Sequence, residues 1–367
     1  MNTSKTIFSI LGIGALLATS ACRETTDPDS VAQDAGVHAI SIMTFNVENL
    51  FDNVDDPGKD DGTYLALTDK QNDEHRTACA TIEVRRWRDQ CLNWDWNEDI
   101  IQQKLQVIAD AILQVDDGRG ADIVALQEVE NIGILERLRT DYLGSAEYLP
   151  AILVEGSDLR GIDVAFLSRL PLAGTPTLHS IPFEGIPEKR VADTRGILQA
   201  DFLLPDETLL SGFAVHFPAP FHPAEMREMA YARLNRLLDA LPADRPAFAA
   251  GDFNTTSSEN AKKDLLGRLV RPRWTVAHEV GCEECPGTQY YAADGSWSFL
   301  DMILWSPGRN RGADATWAIR ADSVQLANKT PAQVTLEGTP ARFNLPEGSG
   351  VSDHWPLALM IETTNKQ

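Results

Sequence analysis

The chain has 367 residues, of which 43% are hydrophobic and 7% aromatic, so it is long enough to bury one large core or two modest ones. Its formal charge of −22 at pH 7 argues against an extended surface that coats duplex nucleic acid, since such a surface is basic. The charge leaves room for a nuclease that recruits its own cations at a local site.

The N-terminus is typical of an export signal. Lys5 supplies a positive start, and the apolar run 7–18 ends in small residues before Cys22. This run is too short to span a membrane, and a buried core helix, the alternative, would carry an amphipathic stripe that is missing here. We therefore predict export, with a signal peptide over residues 1–21 and a disordered polar tether over residues 22–38.

Cys22 follows small residues, as at the processing site of a bacterial lipoprotein, although Thr19 stands where leucine is usual. Lipidation at Cys22 would tether the protein to a membrane, in the periplasm or on the outer membrane and cell surface. Simple cleavage, which would give a secreted protein, is the alternative.

The next prediction concerns the elements after residue 38, where strand patterns are interleaved with helical ones. The predicted strands are 39–47, 122–126, 151–154, 163–167, 198–203, 209–215, 247–250, 299–305 and 357–361. The predicted helices are 96–113, a helix capped by Asn131 that runs through 138, 223–241 and 258–269. This order predicts two packed sheets with helices outside them, and no segment has the composition of a domain linker.

The stretch 51–99 is a long polar insertion that contains Trp87, Trp94 and Trp96 among arginines. Aromatic side chains beside arginine could stack on bases or cover an apolar, lipid-like substrate. The alternative is a disulfide-tied flap that packs its own tryptophans.

Four cysteines besides Cys22 form two local pairs, Cys79 with Cys91 and Cys282 with Cys285. An oxidising compartment makes both pairs disulfides. A zinc site from all four is the weaker alternative, because only the second pair has the tight spacing of a zinc-binding motif.

Six segments place polar side chains at the ends of predicted buried strands. They are 44–49, 125–129, 214–217, 251–254, 298–301 and 352–354. Carboxylates supply the oxygen ligands of a hard divalent cation, whereas amides and imidazoles tolerate a phosphate nearby. The combination predicts a metal-dependent phosphoesterase site.

Together the six segments resemble the endonuclease/exonuclease/phosphatase superfamily, the fold of DNase I, abasic-site endonucleases, neutral sphingomyelinases and inositol-phosphate phosphatases. The resemblance covers residues 39–363 and implies one α/β domain, a four-layer α/β/β/α sandwich of two mixed sheets flanked by helices. It also implies a site at the edge where loops of both sheets meet. Mg²⁺ is the expected cofactor, with Mn²⁺ or Ca²⁺ as alternatives.

The resemblance assigns Asn46, Glu128 and Asp353 to the metal, with Glu128 as a direct ligand and Asn46 contributing its amide oxygen. Asp252 would position or activate the attacking water, and Asn254 would contact phosphate. An Asx turn before a helix is the alternative for the last two residues.

The resemblance also pairs His354 with Asp301, and it places His216 on the phosphate or the leaving oxygen. Glu155 is the expected partner acid of His216, from loop order alone. Arg160 and Asp163 resemble a recurrent family segment, and Arg195 is a candidate phosphate ligand. A structural residue at a strand start is the alternative for Asp163, and an ordinary ion pair is the alternative for Arg195.

The expected function is that of an exported, divalent-metal-dependent phosphodiester hydrolase, in the first place a nuclease. A phosphatase, a sphingomyelinase-like phospholipid phosphodiesterase and a catalytically silent surface-binding module are the alternatives. The expected partners are nucleic acid or another phosphodiester and, through Cys22, a membrane, with no obligate protein partner. Motif spacing does not decide between endo and exo cleavage, the physiological metal or the oligomeric state.

Overall fold

The protein is represented by a computed structural model, which describes residues 38–308 and 316–364. The predicted signal peptide, Cys22 and all of the predicted tether except His38 lie outside these residues. Among the described helices, none combines the length and the apolar character that crossing a membrane requires.

Two six-stranded sheets form the centre of the fold. The first sheet contains, in spatial order, β13 (Trp317–Leu326), β14 (Leu357–Thr363), β1 (Ala39–Leu50), β2 (Ile123–Val129), β4 (Asp163–Ser168) and β3 (Ile152–Leu153). The second contains β5 (Thr177–His179), β6 (Ile197–Leu203), β7 (Leu209–His216), β8 (Ala247–Asp252), β12 (Asp301–Ser306) and β9 (Thr275–Val276). A separate hairpin pairs β10 (Gln289–Tyr291) with β11 (Ser296–Ser298).

The helices lie between these strands in the chain. They are α1 (Asp73–Ala80), α2 (Arg85–Asn93), α3 (Glu98–Leu113), α4 (Ile132–Arg137), α5 (Glu188–Val191), α6 (Ala224–Ala240), α7 (Ser257–Lys263) and α8 (Ala277–Gly281).

Each sheet has one parallel pair, β1 with β2 and β7 with β8, and the other neighbouring strands are antiparallel. The carboxyl ends of two parallel strands lie at the same edge of a sheet. Asn46 is therefore in register with Gln127 in the first sheet, and His216 with Asp252 in the second. Strand β12 runs antiparallel to β8 and begins at Asp301, directly opposite Asp252.

The helices and sheets form four layers, and three buried apolar clusters lie between neighbouring layers. The inner faces of the two sheets share a buried cluster that includes Ile42, Phe166 and Phe248. The outer face of the first sheet packs on a cluster from α3 and α4, and the outer face of the second sheet packs on α6. The predicted α/β/β/α sandwich of two mixed sheets is confirmed.

Helix α3 illustrates how the sequence sets these layers. The Asn97 side chain accepts a hydrogen bond from the Ile100 amide and caps the helix start, as a cap residue does. Ile101, Leu105 and Ile108 recur at helical spacing and are completely buried. The helix therefore places one apolar stripe on the first sheet.

Most predicted elements are confirmed, including the hairpin of β6 and β7. The prediction of one helix over 258–269 is wrong, because Asp264 adopts a left-handed φ of 49° and ends α7 before a separate turn at Leu266–Val270. The elements that were not predicted are β5, β9, β10, β11, β13, both helices of the insertion, α5 and α8.

The insertion forms a helical flap, made of residues 73–93. The Cys79–Cys91 disulfide joins α1 to α2, with a Cα–Cα distance of 5.7 Å. Trp96 is buried and donates from Nε1 to the Phe51 carbonyl, whereas Trp87 is 59% exposed. Cys282 and Cys285 form the second disulfide, so both predicted pairs are confirmed and the zinc alternative is wrong.

Candidate active site

Unusual backbone conformations position four polar residues near the strand ends. Glu48, Glu128 and Asn254 have φ values of 52°, 65° and 50°. Gly251 has φ of +153°, and a Cβ there would lie 1.9 Å from the Val215 carbonyl oxygen, so β8 reaches this register only with glycine before Asp252. Strained backbone of this kind concentrates at functional sites.

Asp252 is buried at the centre of the site. Its Oδ1 accepts the Asn254 amide N–H at 2.8 Å, and its Oδ2 accepts from Asn46 Nδ2 and Asn254 Nδ2, both at 3.2 Å. Burial raises the pKa of Asp252 to about 7, while His354 lowers it and Asp301 raises it. A carboxyl with a pKa near neutral is suited to accept a proton at physiological pH.

Asn254 holds Asp252 in place. Its Nδ2 donates to the Phe217 carbonyl at 3.0 Å as well as to Asp252, so both amide protons are engaged within the protein. The predicted phosphate contact cannot use these protons, and the geometry makes Asn254 a positioning residue for Asp252.

His354 and Asp301 form the predicted pair, with Nδ1 of His354 2.7 Å from Oδ2 of Asp301. The Asp301 amide donates to Thr288 Oγ1 at 3.0 Å, and the His354 amide donates to Ser352 Oγ at 3.0 Å, so the backbone of both partners is fixed. Burial lowers the pKa of His354, but Asp301, Asp353 and Asp252 together raise it well above its ordinary value. His354 is therefore a cation at neutral pH, with Nε2 directed away from Asp301.

His216 has the opposite electrostatic character. Burial, followed by the cations Arg195, Arg160 and His354, lowers its pKa well below the ordinary value, so this ring is neutral. Two buried titratable groups with pKa values moved in opposite directions are what paired acid and base roles require.

The expected pairing of His216 with Glu155 is wrong. The carboxylates near its Nε2 are Asp252 at 3.5 Å and Glu128 at 4.0 Å. Glu155 is exposed and adjoins Asp163 instead, because the loop after β3 turns it outward.

Glu128 lies across the site from β12. Its Oε2 accepts the Asn49 amide at 3.1 Å, and its Oε1 lies 3.4 Å from Asn46 Nδ2. The predicted contact of the Asn46 amide oxygen with a cation is not what the geometry offers. That oxygen accepts the Glu48 amide at 3.0 Å, because the left-handed turn after Asn46 aims this N–H back at it, and Asn46 presents its NH₂ group to Glu128 and Asp252.

Glu48 and Arg342 belong to the site but were not among the predicted residues. Arg342 donates from Nε to Glu48 at 2.6 Å and from Nη2 to Asp353 at 2.5 Å. Glu48 also accepts the Asp353 amide, so the three charged groups form one network that fixes the predicted metal ligand Asp353. Glu48 lies in the predicted site segment 44–49, so the sequence offered a signal for it, whereas Arg342 lies in a loop without any such signal.

Arg160, Asp163 and Arg195 occupy one side of the site. Arg160 donates to Asn49 Oδ1 at 2.7 Å and lies 4.0 Å from Glu128. Arg195 forms a buried ion pair with Asp158 at 3.0 Å, and Asp163 accepts the Gly156 amide at 3.2 Å. These contacts match the structural alternatives for Asp163 and Arg195, and they leave Arg160 as the arginine nearest to Glu128.

The donor set fits a hard divalent cation. Carboxylate oxygens of Asp252 and Asp301 lie within 4.8 Å of each other, and Oδ1 of Asp301 is buried without a hydrogen-bond partner among the described residues. The Glu128 carboxylate lies 4.0 Å from His216 Nε2, and the Asp353 carboxylate lies 3.9 Å from His354 Nε2, so each adjoins one imidazole of the site. Oxygen-rich, partly solvated sites of this kind suit Mg²⁺, Mn²⁺ or Ca²⁺.

Comparisons with known proteins agree with this geometry. The sequence model of the Endonuclease/Exonuclease/phosphatase family matches residues 43–354. No curated protein matches the chain.

Solved structures share the fold. An endonuclease/exonuclease/phosphatase from Bacteroides vulgatus is 17% identical with a TM-score of 0.51, over 89% of this chain and 100% of that one. A family protein from Bacteroides thetaiotaomicron is 15% identical with a TM-score of 0.52, over 90% and 99%. A humanized D. rerio TDP2 is 14% identical with a TM-score of 0.51, over 88% and 98%.

Proposed function

Because the chain belongs to the endonuclease/exonuclease/phosphatase family, whose enzymes are phosphoesterases that use divalent metals, we propose that it is an exported, metal-dependent phosphodiester hydrolase that acts as a nuclease. The observation that carries the proposal is the meeting of Asp252, neutral His216 and the charged His354–Asp301 pair at one buried point. A silent binding module has no need of two histidines with opposed pKa shifts at one point.

The side chains divide the chemistry between them. Asp252, held by Asn254 and Asn46, orients a water molecule and accepts its proton as the water oxygen attacks phosphorus. Charged His354 donates from Nε2 to the phosphate or to the departing oxygen as the P–O bond breaks, and Asp301 keeps the ring in the required orientation. Neutral His216 can accept or donate one hydrogen bond through Nε2, which lies 3.5 Å from Asp252.

Glu128 and Asp353, the carboxylates expected to bind metal, would hold the divalent cation, which leaves Asp252 to take the proton of the water; Mg²⁺ is the first expectation and Mn²⁺ or Ca²⁺ are alternatives. When bound, the cation supplies Lewis-acid stabilisation of the negative charge on the phosphate oxygens. Arg342 and Glu48 keep Asp353 oriented toward this space.

A nucleic-acid substrate is favoured by the helical flap. Helix α2 exposes Trp87 beside Arg85 and Arg86, a combination that can stack on bases and contact phosphates. Trp94, which directly follows α2, packs edge-on against Tyr64 with ring centroids 6.3 Å apart, and the electrostatic neighbours of Tyr64 include Arg160 and Glu128, so the end of α2 lies near the rim of the site. A phospholipid or a sugar phosphate is the competing substrate.

Export is supported by the signal-like N-terminus and by the two disulfides. We place the protein in the periplasm or, through a lipid on Cys22, on a membrane surface, with secretion as the alternative. Mass spectrometry of the purified mature chain distinguishes these cases, because lipid on Cys22 and cleavage elsewhere give different N-terminal masses.

The test of function is a substrate panel. The mature chain is assayed with Mg²⁺, Mn²⁺, Ca²⁺ or EDTA on plasmid DNA, RNA, sphingomyelin, bis-p-nitrophenyl phosphate and p-nitrophenyl phosphate. EDTA-sensitive cleavage of DNA or RNA supports the nuclease. Turnover of the lipid or the monoester alone keeps the chemistry and overturns the substrate, and the absence of any metal-dependent turnover favours the binding module.

A further inference from the structure

A second group of carboxylates lies outside the active site. Residues 52–61, which we call the acidic strap, follow β1 and contain five aspartates, and Glu130 directly follows the neighbouring strand β2. Ligand oxygens of Asp56, Asp61 and Glu130 lie within 4.8 Å of one another.

The three carboxylates are built into the strap by its own backbone. Glu130 accepts the Asp52 amide at 2.7 Å, and Asp61 Oδ2 accepts the Asp56 amide at 2.8 Å. Asp61 and Glu130 are only 1% and 2% exposed. The strap therefore folds around the acids and does not spread them into solvent.

One buried oxygen in this group has no partner. Oδ1 of Asp61 is completely enclosed and accepts no hydrogen bond from the described residues. Among those residues, no lysine, arginine or histidine forms an ion pair with the three acids, and Lys59 of the strap instead donates to the Gly156 and Asp158 carbonyls. A buried carboxylate oxygen without a donor is costly unless the group takes up a proton or a cation, and a cation bound here would supply the partner that Oδ1 of Asp61 lacks.

We propose that Asp56, Asp61 and Glu130 bind a Ca²⁺ ion that fixes the acidic strap. Oxygens that share one Ca²⁺, each about 2.3–2.6 Å from it, lie at most about 5 Å apart, which matches the cluster. Ca²⁺ is favoured over Mg²⁺ because an irregular loop with several carboxylates suits its larger and more flexible shell, whereas Mg²⁺ demands octahedral geometry and retains its waters.

The ion would act on the active site through the backbone. Lys59 Nζ lies 2.9 Å from the Asp158 carbonyl, and the Asp60 amide donates to Leu159 at 2.6 Å, so the strap holds the loop that carries Arg160. The Asp61 carbonyl accepts the Tyr64 amide at 2.7 Å, which ties the strap to the ring beside Glu128. Loss of the ion would loosen both contacts.

Calcium binding is tested by isothermal titration of EDTA-treated mature protein. A Glu128→Gln/Asp252→Asn background weakens cation binding at the active site but keeps Asp301 and Asp353 there, so a Ca²⁺ that still binds with 1:1 stoichiometry is assigned to the strap only if variants of the strap lower its affinity. Asp61→Asn and Glu130→Gln, each in that background, keep the amide contacts but lose a charge, and we expect affinity to fall at least 10-fold. Asp60→Asn is the matched control, since Asp60 is exposed in the same strap and should leave binding unchanged.

A second measurement needs no variant in the strap. Trypsin cleavage after Lys59 and hydrogen exchange of residues 156–161 are followed in the same active-site background with Ca²⁺, Mg²⁺ or EDTA. We expect Ca²⁺ alone to slow both at least 10-fold, whereas cleavage after exposed Arg119 stays unchanged. No Ca²⁺ binding in this background, equal binding by Asp61→Asn, or no Ca²⁺-specific protection of the strap would overturn the proposal.

Discussion

Asp252 is the residue at which both sheets meet chemically, because its carboxylate contacts Asn46 from β1, neutral His216 from β7 and Asn254 from its own strand end. A fully buried carboxyl with two amide NH₂ donors is expensive to build and is oriented more strictly than packing alone requires. The cost is understandable if the group must hold a water and take its proton.

Asp252→Asn is therefore expected to lower kcat by roughly 10²–10⁴-fold, the range that general acid–base groups contribute. The melting temperature should stay equal or rise, because the neutral amide removes a carboxylate that burial disfavours. Steady-state kinetics on the substrate whose cleavage EDTA abolishes, with calorimetry, measures both.

The matched control is Asp117→Asn, which changes an exposed aspartate in the turn before β2, at the end of the strand opposite the site. It should leave kcat unchanged. A large loss of stability in Asp252→Asn with proportionate loss of activity would make the residue structural instead.

The His354–Asp301 pair makes stability depend on pH. The folded-state pKa of His354 lies above that of an unfolded histidine, so the folded state binds the extra proton. The pair's contribution is fully present below about pH 6.5 and is lost as pH rises through the raised pKa of His354. Asp301→Asn in metal-free protein should cost about 3 kcal/mol at pH 6, the cost of breaking a buried pair, and progressively less at higher pH.

Urea unfolding of the parent and of Asp301→Asn, both in EDTA between pH 6 and pH 10, measures this difference in the free energy of unfolding directly. A penalty that is the same across the range would mean that His354 is not charged in the folded state. Asp117→Asn is again the control, because Asp117 is exposed, and it should show no pH-dependent penalty.

At the scale of elements, the strands that carry the site were predictable because each is a buried apolar run that ends in polar residues. Strand β8 and its Gly-Asp-Phe-Asn segment are the clearest case, since completely buried strands are short, apolar and glycine-bounded. Strand β13 was missed because it lies at the sheet edge and alternates poorly, with Arg320 and Asp322 in its middle.

The site was predicted less completely than the strands. The side chain of Asp252 could be placed from sequence because parallel and antiparallel registers bring strand ends together. His354 precedes β14, and its pairing with Asp301 was expected from the family resemblance. Arg342 could not, because its contact with Glu48 joins residues 294 positions apart through a loop without a periodic pattern. The Asn46 orientation depends on one left-handed turn that no residue pattern specifies.

Gly251 connects strand β8 to the active site, because it directly precedes Asp252. At Gly251, β8 passes so close to β7 that a side chain cannot fit. Gly251→Ala would place a Cβ 1.9 Å from the Val215 carbonyl at φ of +153°. We expect a loss of about 3 kcal/mol or more in the free energy of unfolding, from overpacking and backbone strain together.

Chemical denaturation compares this variant with Gly144→Ala, where an added Cβ meets no atom within 4 Å and φ is not positive. That control should stay within about 1 kcal/mol of the parent. Equal stability of Gly251→Ala and the parent would mean that β7 and β8 can separate without cost.

At the scale of the whole molecule, a few arginine side chains lie at the active site of a chain that is strongly acidic overall. The charge of −22 repels a polyanion at long range, whereas Arg160 and Arg342 act only within the site. This differs from DNA-binding proteins whose whole surface is basic, for which added salt weakens binding.

The long-range repulsion by the net charge and the short-range attraction by the site arginines together predict how activity depends on salt. If the substrate is DNA, kcat/KM should rise several-fold as NaCl increases from 0.01 M to 0.1 M at fixed Mg²⁺, because the screening length falls from about 30 Å to about 10 Å and removes the long-range repulsion first. Bis-p-nitrophenyl phosphate, with a single charge, should change much less.

A kcat/KM that falls with salt would instead mean that phosphate contacts of the flap control association. In that case Arg86→Ala on exposed α2 should flatten the salt dependence, whereas Arg119→Ala, equally exposed at the far end of the first sheet, should leave it unchanged.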